Sequence, residues 1–123
     1  MKVGDAWNVT VESAKASAGD TTFTPKSGMH YLILSLSMKN LTSENHTVSS
    51  IAQFTLRSND GTKYDMTIYP DAGSQIDGDV DGGQPAKGVI VYEVPVNVSS
   101  FHLKFESNPF DATSDSAEWN LTV

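Results

Sequence analysis

Seven short segments of this chain alternate apolar and polar residues with a period of two, and that pattern narrows what it can fold into. The clearest runs from Leu32 to Lys39: Leu32, Leu34, Leu36 and Met38 fall on one side, Ile33, Ser35, Ser37 and Lys39 on the other. Successive side chains of a β-strand point to opposite faces of its sheet, so such a run predicts one buried and one largely wet face. Trp7, Val9 and Val11 form the apolar side of a first strand, with Asn8, Thr10 and Glu12 opposite. A loop rich in Gly, Thr, Ser and Pro follows from Gly19 to Gly28, and Asn40 to Asn45 is polar enough to be a turn. Phe54 and Leu56 are expected to pair with Tyr64, Met66 and Ile68 across a turn at Asn59-Asp60-Gly61, where the Asp-Gly step supplies the positive φ of a tight hairpin. Pro70 closes that strand. Gly88 to Val94 is apolar on both faces, which predicts a central position in its sheet. Phe101, Leu103 and Phe105 make a sixth strand, and Trp119, Leu121 and Val123 a seventh.

Seven such strands in 123 residues, without a sustained helical period, point to two packed antiparallel sheets; a closed barrel is the alternative. The fold class is therefore all-β, an immunoglobulin-like antiparallel β-sandwich occupying residues 1–123 as one domain. The shared phase of the strands predicts a core of Val9, Val11, Leu32, Leu34, Leu36, Phe54, Tyr92, Phe105, Trp119 and Leu121, with Trp7 and Trp119 both buried. The cysteine pair of antibody domains is absent, so apolar packing alone must join the sheets.

Composition excludes several classes of function. The absence of cysteine removes a disulfide framework, a zinc site and a thiol nucleophile. A net charge of −7 provides no basic face for nucleic acid. No apolar run approaches the roughly 18–20 residues that span a bilayer. Met1-Lys2-Val3 leads straight into a strand, so an exported form would carry its leader outside this sequence, and a membrane would be met only through a lipid anchor.

Three stretches in order carry a family likeness. They are Val3-Gly4-Asp5 with Trp7-Asn8-Val9-Thr10-Val11; Leu34 to Thr42 followed by Asn59-Asp60-Gly61-Thr62-Lys63-Tyr64; and Gly83-Gln84-Pro85-Ala86-Lys87-Gly88 running on to Pro95. The chain resembles an uncharacterised immunoglobulin-like domain family of bacterial and archaeal lipoproteins and secreted proteins, akin to a secreted mycobacterial immunoprotective antigen. Every matching motif is scaffold. The resemblance implies an extracellular or cell-surface protein with a binding, adhesion or envelope-spacer role, and no reaction. The acidic, Gly-rich stretch before Gln84 departs from the shorter turn expected there.

That stretch is also the most specific chemical feature. Asp77, Asp79 and Asp81 stand at alternate positions before Gly82-Gly83, as in the first half of a calcium loop, where carboxylates wrap a hard cation. The twelfth position is Gly88 in place of a bidentate Glu, so a full EF-hand is excluded; Asp71 or Glu93 could supply the missing oxygen. The alternative functional reading is thus a calcium-dependent binding domain, set against a solvated acidic loop. Otherwise no cofactor is expected. Five Asn-x-Ser/Thr sequons, at Asn8, Asn40, Asn45, Asn97 and Asn120, are expected to face solvent. A copper site at His30 with Met29 or Met38 is set against plain packing of Met38. No Gly-x-Ser-x-Gly elbow occurs, and the carboxylates lie mostly in loops, so the protein is read as no enzyme. Tyr31, Phe23, Tyr69 and Phe110 are aromatics that could meet a protein or glycan partner or cover the ends of the core.

Overall fold

The structure is a computed structural model that describes residues 1–108 and 115–123; Phe110 lies outside the described residues. In chain order the strands are β1 (Lys2–Val3), β2 (Trp7–Ser17), β3 (Met29–Asn40), β4 (His46–Val48), β5 (Phe54–Ser58), β6 (Lys63–Tyr64), β7 (Gly78–Val80), β8 (Pro85–Pro95), β9 (Ser100–Glu106) and β10 (Ser116–Thr122), with a short helix α1 (Ser50–Gln53) and a 3₁₀ turn at Pro70–Ala72. One antiparallel sheet runs β1-β2-β3-β8 and the facing one β10-β9-β5-β6, while β4 and β7 form a separate ladder. This is the β-sandwich that the alternation predicts.

The inner faces meet as the period-two phase requires. Val9, Leu32, Leu34, Leu36, Ile90 and Tyr92 of the first sheet pack against Phe54, Leu56, Phe101, Leu103, Phe105 and Leu121 of the second. Phe54 and Phe105 lie 4.9 Å apart between ring centroids, and Tyr64 meets the edge of Phe101 at 5.8 Å. Two members of the expected core are only half-buried. Val11 stands at a β-bulge, where the register slips between Val11 and Ser13 and turns the strand. Trp119 sits on β10, an edge strand open along one side, whereas Trp7 is buried.

The strand that is apolar on both faces is not central. β8 is the last strand of its sheet, and its second apolar face is explained by an outer cover. Tyr31, Val89 and Val91 form a second small cluster there, roofed by Phe23, Tyr69 and Ala72. Tyr31 and Tyr69 stack at 4.8 Å. Phe23 and Tyr69 thus cover a sheet face and do not plug an end of the sandwich.

The free edge of β8 is closed by passing chain. The Thr67 and Ile76 amides donate to Val91 and Val89 carbonyls, and the Val89 and Glu93 amides donate to Ser74 and Asp65 carbonyls. Such pairing satisfies an edge that would otherwise template aggregation. Gly88 permits the approach, since a Cβ there would lie 2.7 Å from the Ile76 backbone. The Asn59-Asp60-Gly61 turn forms as expected, with Gly61 at φ +88°. Only Tyr64 of the three expected partners pairs with β5, opposite Leu56; Met66 crosses to the other sheet and bridges Tyr92.

Candidate functional site

The acidic stretch is a strand with its own partner. β7 pairs with β4 so that Thr47 faces Asp79 and His46 faces Val80. Val80 and Val48 turn into the core, and Asp77, Asp79 and Asp81 take the opposite, exposed side. The Asp-x-Asp-x-Asp spacing is therefore that of a wet strand face. Each carboxylate accepts hydrogen bonds from the chain beside it. Asp77 takes the Ser50 amide at 2.6 Å and the Ser50 hydroxyl at 2.9 Å, satisfying the N-terminus of α1. Asp79 takes the Thr47 hydroxyl at 2.6 Å and Asp81 the Asn45 side-chain amide at 2.9 Å. Asp71 and Glu93 lie elsewhere: Asp71 is in the 3₁₀ turn at Pro70–Ala72, and Glu93 accepts the Lys26 backbone amide at 2.7 Å. Among the described residues no three or more His, Asp or Glu are grouped to hold a metal ion.

His30 and Met38 occupy the same side of β3 eight residues apart, about 26 Å along an extended strand, and Met29 points to the other side. They cannot share a metal.

Asn40 departs most from its expected place. Four of the sequon asparagines are exposed, but Asn40 is buried. Its Nδ2 donates to the Glu44 and Val80 carbonyls at 2.8 and 2.9 Å, and its Oδ1 accepts from the Thr42 amide and hydroxyl at 3.0 and 2.7 Å. All four hydrogen-bonding positions of the amide are used, so Asn40 is unavailable to a glycosyl donor in the folded chain.

The surface feature that sequence reading missed lies at the crossover. Met66, Thr67 and Ile68 form the wall between two grooves, one of about 590 Å³ toward Phe23 and Lys26, the other of about 360 Å³ toward Ile51 and Gln75. Ile51 is 81% and Ile68 66% exposed. Ile51 lies in α1, whose four residues are too short to show a period, and Ile68 reads as the inner side of a hairpin strand until the crossover turns it out.

With the geometry in place, three solved structures are informative. A candidate lipoprotein (ycdA) from Bacillus subtilis superposes with a TM-score of 0.81 at 17% identity, covering 98% of this chain and 38% of that protein, so the chain spans about two-fifths of its length. The yjhA protein from the same organism gives 0.75 at 17% identity, covering 99% of this chain and 94% of that one. The secreted protein MPT63 from Mycobacterium tuberculosis gives 0.56 at 19% identity over 94% and 84%. At these identities the likeness shows the fold. No curated protein matches by sequence. Residues 1–116 match the family described as domain of unknown function (DUF4352), and the chain belongs to that family.

Proposed function

We propose that this domain is a non-catalytic secreted or cell-surface module that works by binding, in adhesion or as a spacer of the cell envelope. One observation carries the reading. Ile51 and Ile68, the two most exposed large apolar side chains among the described residues, stand out into solvent beside one groove. Single exposed apolar residues are ordinary, whereas a shared apolar groove marks a contact surface. The candidate lipoprotein and the secreted protein among the structural neighbours support export. The motifs shared with the family are scaffold and supply no nucleophile with its base.

The test has two arms. Fractionating native cells that make the full-length protein should place it in the envelope or the medium. Ile51→Asp with Ile68→Asp should leave the melting temperature nearly unchanged, as surface changes do, and abolish retention on isolated envelopes. A cytoplasmic protein, or a double variant retained as well as the unmutated chain, overturns the reading.

A further inference from the structure

The outer face of the second sheet carries a row of basic side chains, on a chain whose net charge is −7. Pairing sets the row. Lys63 of β6 stands opposite Arg57 of β5, Arg57 opposite His102 of β9, and His102 opposite Asn120 of β10. The residues that alternate with them, Leu56, Ser58, Phe101, Leu103 and Leu121, are buried, so the row lies on the outer face. Directly opposed side chains on one sheet face stand about 4.5–5.5 Å apart at Cβ, and like charges placed there repel. Arg57 thus lies between two basic neighbours.

None of the ion pairs formed among the described residues reaches Arg57 or Lys63. The nearby carboxylates are engaged in other ways. Asp60, in the turn that joins β5 to β6, accepts from the Ser58 hydroxyl and the Thr62 amide. Glu106 meets Lys104 at 3.6 Å, and Glu118 stands opposite Lys104 in the register, so one cation answers both. Asp65 sits where the chain turns toward β8, its carbonyl accepting the Glu93 amide.

The donors of the row are held in place. Arg57 Nη1 donates to the Gly61 carbonyl at 3.0 Å, which fixes the guanidinium beside the turn and leaves its other N–H groups to a ligand. His102 Nδ1 lies 2.5 Å from Asn120 Oδ1, an acceptor, so Nδ1 carries a proton and Nε2 is turned away from β10 toward β5. A recess of about 120 Å³ opens between Arg57, His102 and Lys104.

We propose that this row is a binding site for a phosphate group, with Arg57 as its central donor and Lys63 and His102 on either side. The guanidinium fork matches two phosphate oxygens. Inorganic phosphate or a phosphate monoester has a third terminal oxygen for the groups beside it, whereas a carboxylate has only two oxygens. His102 Nε2 can accept from a protonated phosphate oxygen or, itself protonated, donate to a bare one. Such a group brings a charge of about −1.5 to −2 at neutral pH, which relieves the repulsion within the row. The recess shares no residue with the groove beside Ile51 and Ile68, so this site stands or falls apart from the envelope-retention test.

Titration of the whole chain with inorganic phosphate and with methyl phosphate, at an ionic strength held constant with sodium chloride, tests the site. Amide and arginine side-chain NMR shifts should saturate, with the largest changes at Arg57, Lys63 and His102. The melting temperature should rise with phosphate as the site fills. Arg57→Gln should weaken binding by about tenfold or more, as loss of a charged hydrogen-bond donor does. Lys63→Gln should weaken it severalfold and leaves the Gly61 contact of Arg57 intact. Lys15→Gln, an exposed lysine on β2, should change nothing. Saturation by inorganic phosphate alone marks a site for the free ion, and saturation by both ligands marks one that also takes the phosphate of an ester. Shifts that follow ionic strength alone, acetate binding as tightly as phosphate, or unaltered affinity in both Arg57→Gln and Lys63→Gln overturns the proposal.

Discussion

Replacing Asn40 by alanine should be among the most damaging polar substitutions in this protein. The side chain is fully buried and makes four hydrogen bonds, which join the end of β3, the 41–45 turn and the end of β7. Its backbone lies in the same junction, with the Asn40 amide donating to the Gln84 carbonyl at 3.0 Å and the Gly83 amide donating to the Asn40 carbonyl at 2.9 Å. The Val80 carbonyl is the partner most completely removed from water, and leaving such a group unpaired costs about 1–3 kcal/mol. The Glu44 carbonyl and the Thr42 amide and hydroxyl are nearer to solvent and together contribute about 1–2 kcal/mol more. The expected loss is about 3–4 kcal/mol, a large part of the roughly 5–15 kcal/mol that holds a domain folded. For a chain of this size it corresponds to a fall in melting temperature of roughly 10 °C. Urea unfolding followed by tryptophan emission reads it directly, since Trp7 pairs with Asn40 across β2 and β3. Asn45→Ala, at an exposed sequon, is the control and should stay within about 0.5 kcal/mol. Asn40→Asp sets an acceptor against the Glu44 and Val80 carbonyls, so it should be worse than alanine at neutral pH and partly recover in acid. A loss below about 1 kcal/mol for Asn40→Ala would mean that water replaces the amide and that the junction is not sealed.

Three further outcomes are expected. Leu34→Ala should cost about 2–5 kcal/mol in the same assay, because Leu34 is wholly inside the larger core; a loss below about 1 kcal/mol would mean the faces of β3 are inverted. Asp77→Ala should lower the melting temperature by removing the acceptor for the Ser50 amide and hydroxyl, whereas millimolar calcium should leave the unmutated chain unchanged; a calcium-dependent rise of several degrees would establish the acidic strand as a cation site. Asp60 is held below the usual carboxylate value by the Ser58 hydroxyl and then the Thr62 amide, so its contribution is present above the ordinary range and is lost as pH falls through the lowered value. Asp60→Asn should accordingly flatten the acid limb of the stability profile, and an unchanged limb would refute that assignment.

What the sequence discloses is local, and what it hides is relational. Leu32 to Met38 declares its faces because the signal repeats within one strand. The 59–61 turn is legible because Asp60 and Gly61 carry the chemistry of the turn themselves. β4 and β7 escape notice because three residues cannot establish a period, and the aspartates of β7 draw attention to charge and away from their alternation. Gly88 to Val94 correctly signals cover on both faces, but a covering loop and a neighbouring strand leave the same apolar pattern. Asn40 looks like a turn residue because its burial depends on Val80, forty residues away. Met66 and Ile68 extend the hairpin pattern of Tyr64 unbroken, so nothing in their spacing marks where the chain leaves one sheet for the other.

That departure has a mechanical meaning. Residues 63 to 67 belong to both layers, paired with β5 at Lys63 and Tyr64 and with β8 at Asp65 and Thr67. A force that slides one sheet over the other is met by peptide bonds in tension as well as by the yielding contacts of an apolar interface. Neither sheet can be peeled off as a unit, because its margin is continuous with its neighbour's. The two should therefore melt in a single cooperative step, and a load applied along the strands should be carried by this five-residue tie until its hydrogen bonds shear together.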